Sequence, residues 1–167
     1  MIGQYDVVTV LDNCVDLILS GGDVVPSFGQ TEKLVGDYLL EMGGSTAIFA
    51  CQAAKLGLRT MGIGCVGKDA FGRLILERLT DAGVHLEQVT TEPSLKTGLG
   101  LALCIPGDRA ILTYSGTIDV PGMEKRLMEQ LPKSRHFHIG SYFLMTHLRP
   151  HLPELVEVVL DYGRPAE

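Results

Sequence analysis

The segment 43–83 constrains the fold more than any other part of the chain. Its pattern predicts a helix over residues 46–56, a buried strand over 59–66, and a second helix over 70–82 that Asp69 caps. A strand enclosed by two helices is typical of a parallel sheet, because parallel strands need a crossover connection. The chain is therefore predicted to be an α/β protein.

Small residues at the helix ends support these boundaries. Ser45 is suited to cap the first helix, and Gly57 and Gly83 follow the two predicted helix ends, where a left-handed residue is common. A further buried strand is predicted over residues 5–11, which are mostly apolar and β-branched.

Two other regions have a different pattern. Residues 24–42 show short apolar alternations, which predict short strands that are not deeply buried. Residues 97–105 and 110–114 flank the Pro-Gly-Asp-Arg turn at 106–109, which predicts a hairpin. The remaining predicted elements are a helix over 121–131, a strand over 135–140 and a helix over 152–162.

Composition excludes several classes of function. The 167 residues carry a net charge of −6, and no clustered basic segment is present, so neither nucleic acid nor a membrane surface is an expected partner. No apolar stretch reaches the ~20 residues that a membrane-spanning helix needs, and the start of the chain lacks a signal-peptide pattern. We therefore expect a cytoplasmic protein.

The potential metal ligands do not form a recognisable site. The four cysteines are scattered without metal-binding spacing, and in a reducing compartment they are expected to be small buried hydrophobic residues. His136 and His138 would share one face of a strand, but no third ligand accompanies them. No metal site is predicted.

One glycine motif offers a different function. Gly62, Gly64 and Gly67 match the spacing of a dinucleotide-binding fingerprint, in which glycines admit a pyrophosphate to a helix N-terminus. However, Gly62 falls inside the predicted strand, and Asp69 would face the phosphates. A dinucleotide-binding domain remains an alternative interpretation.

The polar residues after the first strand are candidates for ligand binding. Asp16 is predicted to lie just beyond that strand, at the edge where open α/β sheets bind ligands, and its carboxylate could accept hydrogen bonds from two sugar hydroxyls. Asn13 could offer an amide to the same ligand. The residues Gly43, Gly44 and Ser45 would let the backbone approach a ligand and offer free N–H donors at the helix N-terminus. Each feature is also explained by an ordinary turn.

Three strings taken together resemble the PfkB, or ribokinase-like, carbohydrate kinase family. They are Asp-Asn-Cys-Val-Asp at 12–16, the Gly-Gly turn with its helix at 43–57, and Gly-Cys-Val-Gly-Lys-Asp-Ala-Phe-Gly at 64–72. The segments 97–104 and 136–142 are also similar to that family. The resemblance covers nearly the whole chain but only the N-terminal half of the family.

The resemblance implies a fold and a set of substrate contacts. The fold would be a partial ribokinase-like doubly wound sheet, with a small β-lid from residues 17–42 and 97–115. The position of Asp16 would hold sugar hydroxyls, with the Gly-Gly turn against the substrate. In relatives the lid also serves as a dimer surface, so a homodimer is expected. Tyr114 and Tyr142 are further candidates for substrate contact.

Two departures from the family pattern affect the expected activity. Ile48 stands where the family commonly has an asparagine, which puts the identity of the sugar in doubt. The family's Gly-Ala-Gly-Asp-like catalytic turn is missing, and Gly107-Asp108 lies in a hairpin instead. ATP and Mg2+ would therefore bind a C-terminal part that this chain lacks. The expectation is the sugar-binding side of an ATP-dependent kinase, inactive alone; a non-catalytic dimerising fragment is another alternative.

Overall fold

The structure, a computed structural model, describes residues 4–130 and 134–162. It contains eight strands and four α-helices within these ranges. In chain order they are β1 (Tyr5–Val10), β2 (Cys14–Gly22), β3 (Val35–Met42), α1 (Ser45–Lys55), β4 (Thr60–Gly67), α2 (Ala70–Asp81), β5 (His85–Glu92), β6 (Gly98–Ile105), β7 (Asp108–Tyr114), α3 (Met123–Gln130), β8 (Ser134–His138) and α4 (Leu152–Tyr162).

The first sheet is parallel and forms the centre of the molecule. Its strand order is β5-β4-β1-β8, so that β1 pairs with β4 on one side and β8 on the other. Every residue of β4 is buried, as expected for a parallel strand covered on both faces. Among the described residues, no helix is long and apolar enough to cross a membrane.

Two apolar clusters show how helices cover this sheet. One cluster joins Val8 of β1 to Leu127 of α3 and Leu155 of α4. The other joins α1 to Ile75 and Leu79 of α2, both fully buried. Helices therefore pack in two separate layers, which is the doubly wound arrangement that the sequence predicted.

The second sheet has the order β3-β2-β6-β7 and stands beyond the carboxyl end of β1. β2 pairs parallel to β6, and both outer pairs are antiparallel. Asp16 of β2 is opposite Glu41 of β3 and Gly100 of β6, and Gly100 is opposite Thr113 of β7. Side chains of directly paired residues point to the same face, so this row defines one face of the sheet.

The structure confirms the predicted cap of α2 and the glycines after α1 and α2, changes one strand assignment and adds a strand. Asp69 accepts a hydrogen bond from the Gly72 N–H at 2.8 Å, and Gly57 and Gly83 have φ of 88° and 83°. Within 24–42 the structure has only β3, preceded by irregular chain, rather than several short strands. β5 was not predicted; it is an outer strand whose exposed positions carry polar residues.

Candidate functional site

Asp16 lies between two glycines whose missing side chains leave space for its carboxylate. A Cβ atom placed on Gly43 would be 2.6 Å from both carboxylate oxygens, and one placed on Gly100 would be 2.6 Å from Oδ1. Any side chain at these positions would displace the carboxylate. The sequence placed Asp16 at the edge of the first sheet, whereas the structure places it within β2 of the second sheet. Its predicted proximity to the paired glycines is nevertheless what the structure shows.

The environment of Asp16 favours the neutral form of its carboxyl group more than water does. Partial burial raises the pKa of this carboxyl group; the positive charge of Arg109 acts in the opposite direction, and the negative charge of Asp12 raises the pKa further. A partly buried carboxylate with an elevated pKa is a strong acceptor for hydroxyl donors, because its own hydration is incomplete.

Asp12, rather than Ser45, caps the first helix. Ser45 is the first residue of α1 and Gly44 is its N-cap, with no side-chain cap from either residue. The Asp12 carboxylate accepts hydrogen bonds from the backbone N–H groups of Ser45 at 2.9 Å, Thr46 at 3.0 Å and Ala47 at 3.3 Å. The helix N-terminus therefore does not offer the free N–H donors that the sequence suggested. Asp12 is buried and occupies them.

The same carboxylate also binds hydroxyl groups. Thr46 Oγ1 donates to Asp12 Oδ1 at 2.5 Å and accepts from the Asp12 N–H at 2.9 Å. Ser45 Oγ donates to Asp12 Oδ2 at 3.1 Å, and Ser141 Oγ forms a short hydrogen bond to the same oxygen. Ser45 Oγ and Ser141 Oγ are 2.9 Å apart. The loop after β8 is thereby tied to the start of α1.

Asn13 is a structural residue in this arrangement. Its side chain is fully buried, and Nδ2 donates to the carbonyl oxygen of Cys65 at 3.0 Å. Within the described part of the chain nothing donates a hydrogen bond to Asn13 Oδ1. The Asn13 carbonyl oxygen accepts from Thr117 Oγ1 at 3.2 Å. The amide thus anchors the link between the two sheets. The sequence had suggested that it would lie beside Asp16, and it does not.

The two tyrosines differ in their relation to Asp16. Tyr114 pairs with Leu99, one residue out of step with the Asp16–Gly100 row, so it points to the opposite face of the sheet. There it lines a cavity of about 480 Å³ with Phe71 of α2. Tyr142 is half-exposed in the loop after β8, where its ring lies 5.6 Å from the Arg149 guanidinium carbon. Tyr114 is therefore directed away from the carboxylate.

The glycines of the dinucleotide-like motif are covered by protein. All three lie inside β4 and are buried. A Cβ on Gly62 would be 2.5 Å from the side chain of Leu11, and one on Gly67 would be 2.7 Å from the backbone nitrogen of Thr97. A pyrophosphate has no access to these positions, so the geometry does not support a dinucleotide site.

Three residues of this site were not predicted from the sequence. Asp12 bonds to Ser45, 33 residues away in sequence, and to Ser141, 129 residues away. No local sequence pattern reveals such contacts. Gly100 did carry a signal, since alternating glycines within the strand at 98–100 indicate close approach of another group.

Comparison with known proteins gives one family. The family model described as pfkB family carbohydrate kinase matches residues 7–162. The chain is 32% identical over 138 residues to a probable fructokinase-5 of Arabidopsis thaliana, covering 78% of this chain and 43% of that protein. It is 29% identical over 129 residues to the ribokinase of Bacillus subtilis, covering 75% and 43%.

A solved structure shows the same fold. Arabidopsis thaliana ribokinase, complexed with ribose and ATP, superposes with a TM-score of 0.81 at 23% identity, covering 96% of this chain and 52% of that one. The chain spans less than half the length of the two curated relatives that it matches.

Proposed function

Because the chain belongs to the pfkB family of carbohydrate kinases, we propose that it supplies the sugar-binding side of an ATP-dependent sugar kinase. The observation that carries this proposal is the placement of Asp16 between Gly43 and Gly100. In this position the carboxylate binds two adjacent hydroxyls of a sugar or sugar-like alcohol. The two glycines leave room for the carboxylate itself, because a side chain at either position would displace it.

The second sheet is proposed to act as a lid over that sugar. Asp16 and Gly100 belong to the lid strands β2 and β6, whereas Gly43 lies at the junction between β3 and α1. A sugar held by both regions would be enclosed from two sides. Enclosure excludes water, which directs a phosphoryl group to the sugar rather than to hydrolysis.

ATP and Mg2+ are proposed to bind residues other than those described. Within residues 4–130 and 134–162, no three His, Cys, Asp or Glu side chains come together as ligands for a metal ion. The 167-residue sequence also contains no Gly-x-Gly-Asp turn. Phosphoryl transfer depends on positioned donors and cations around the phosphates, so we propose that these residues bind sugar without transferring phosphate.

Calorimetric titration with a panel of sugars, including fructose and ribose, tests the binding proposal. We expect saturable binding of at least one member, lost in Asp16→Ala and retained in Asp37→Ala. Asp37 is a matched control because it is an exposed carboxylate in the same sheet, bonded to its neighbouring N–H of Tyr38 at 2.8 Å. Equal loss in both variants, or no binding by the unaltered chain, would contradict the proposal.

A coupled assay with ATP and the same panel tests the second part. We expect no turnover by the 167-residue chain. Turnover that Asp16→Ala abolishes would show that the inactivity proposal is wrong while supporting the sugar site.

We also propose that the second sheet forms a homodimer contact. Its exposed apolar side chains include Tyr38, Leu39, Ile111 and Leu112. Light scattering at increasing concentration tests this, with Leu112→Ser expected to shift the mass towards the monomer. A mass that stays monomeric at all concentrations would exclude the contact.

A further inference from the structure

The Asp12 carboxylate joins three segments that are distant in sequence. It belongs to the link between β1 and β2, it accepts from the first three N–H groups of α1, and it accepts from Ser141 in the loop after β8. These segments surround the junction from which Asp16 and Gly43 extend.

The Gly43–Gly44 turn packs closely against Asp12. Gly44 has φ of 86°, and a Cβ at this position would overlap the main-chain oxygen of Asp12 and lie 2.7 Å from Oδ1. The Gly43 N–H also donates to the Cys14 carbonyl at 2.9 Å. The turn therefore lies against Asp12 of the β1–β2 link and against Cys14 at the start of β2.

The loop after β8 is held by the same group. Ser141 has φ of 51°, which is uncommon for a residue with a side chain. A Cβ on the preceding Gly140 would be 2.7 Å from Thr46 Cγ2 and 3.0 Å from Ser45 Oγ, so this loop packs directly on the first turn of α1. In this conformation the Ser141 hydroxyl reaches Asp12.

We propose that Asp12 is a positioning residue that sets the Gly43–Gly44 turn and the loop 139–142 in a fixed relation to Asp16. Asp12 does not itself contact the sugar. This inference rests on the proposed sugar site at Asp16. It assigns to Asp12 a role beyond capping, because a cap would need only the helix N–H groups, whereas this carboxylate also holds a separate loop.

A carboxylate suits this role better than an amide. Six donors from Ser45, Thr46, Ala47 and Ser141 converge on its two oxygens. Asparagine would replace one oxygen with an NH2 group, which can donate but cannot accept from these groups. Asp12→Asn therefore disrupts one side of the junction with almost no change in volume.

Hydrogen exchange of the 167-residue chain measures the positioning without a ligand. In Asp12→Asn, we expect about tenfold faster exchange in both 43–47 and 139–145, with the rest of the chain unchanged. Ser141→Ala should accelerate 139–145 more than 43–47. Asp6→Asn is the matched control, since Asp6 is a hydrogen-bonded carboxylate near the opposite end of β1, accepting from the Arg59 N–H at 2.9 Å, and it should accelerate neither segment.

Calorimetric affinity for a sugar that the unaltered chain binds provides the second measurement. We expect about tenfold weaker binding in Asp12→Asn at a temperature where circular dichroism shows it fully folded, and no change in Asp6→Asn. If no sugar binds the unaltered chain, the proposed function fails, while the exchange data still decide the positioning role.

Two results would overturn the inference. Faster exchange confined to 45–47 would show that Asp12 is only a helix cap, and unchanged sugar affinity in a folded Asp12→Asn would show that the junction does not affect the site. If Asp12→Asn does not fold, Thr46→Val and Ser141→Ala give the same comparison, because each removes one hydroxyl from Asp12.

Discussion

Replacing Gly43 with alanine tests the candidate site with a single methyl group. The new Cβ would lie 2.6 Å from Cγ, Oδ1 and Oδ2 of Asp16. Ordinary van der Waals contact begins near 3.4 Å, so the carboxylate must move by about 0.8 Å. Rotation about χ2 alone does not relieve the overlap, because Cγ itself lies 2.6 Å away, so the whole carboxylate must shift through χ1 or through the backbone.

The displacement is large enough to break a hydrogen bond. Hydroxyl–carboxylate bonds have donor–acceptor distances of about 2.5–2.7 Å, and adding 0.8 Å takes them beyond bonding range. A hydrogen bond to a charged group contributes about 1.5–3 kcal/mol. We therefore expect sugar affinity to fall by about 10- to 150-fold in Gly43→Ala.

Isothermal titration with the sugar identified for the unaltered chain is the assay. Gly36→Ala is the control, because Gly36 lies in β3, the strand that precedes Gly43, but is remote from Asp16. Its added Cβ would meet only the backbone of Gly21, at 3.2 Å. Its affinity should be unchanged. If Gly43→Ala binds as tightly as the unaltered chain while remaining folded, the sugar does not depend on the Asp16 carboxylate, and the assignment of this site is refuted.

Three further predictions follow from burial and charge. Because partial burial raises the pKa of Asp16 above its usual value near 3.8, sugar affinity should fall as the pH decreases towards that raised pKa. In the unliganded protein the contribution of Asp16 to stability should increase over the same range, because the folded state takes up this proton before the unfolded state does. Calorimetry and thermal melts between pH 7 and 4 measure both effects as the difference from Asp16→Asn, and identical profiles in the two proteins would contradict this. Burial raises the pKa of Cys14 to about 12 and of Cys65 to about 11, so iodoacetamide at pH 8 should label the less buried Cys104 first, as mass spectrometry of digests would show; early labelling of Cys14 would contradict it. Leu79→Ala should lower the free energy of unfolding by about 2–5 kcal/mol in urea, since this side chain is fully buried, and a loss below ~1 kcal/mol would mean that the α2 interface is loosely packed.

The sequence predicted features whose causes are local. The α2 cap at Asp69 and the glycines at 57 and 83 act within one helical turn of the elements they end, so spacing along the chain was sufficient to identify them. The hairpin was likewise predicted from its own turn residues, although β7 begins at Asp108, so that the turn is only Pro106 and Gly107 rather than 106–109. The resemblance to the family added the association of Asp16 with the Gly-Gly turn.

Features that depend on register or distant contacts were not predictable. Tyr114 was a candidate because it lies in the hairpin, but the face to which it points depends on its pairing with Leu99 rather than Gly100, and a shift of one residue reverses it. Asn13 and Asp16 are three residues apart, yet one is buried at the sheet junction and the other lies in the second sheet. Turn propensity does not distinguish them, because both types are common in turns.

The placement of Asp16 in the second sheet links binding to the orientation of that sheet. Gly43 lies at the junction that Asp12 is proposed to hold, whereas Asp16 belongs to β2 of the second sheet. A sugar bound to Asp16 and lying against the Gly-Gly turn would therefore stabilise one orientation of the sheet relative to the core. The same physical requirement explains why Gly100 lies opposite Asp16: the carboxylate needs space on the lid side as well as on the core side. If the second sheet closes over the sugar as proposed, ligand binding and closure depend on the same few atoms.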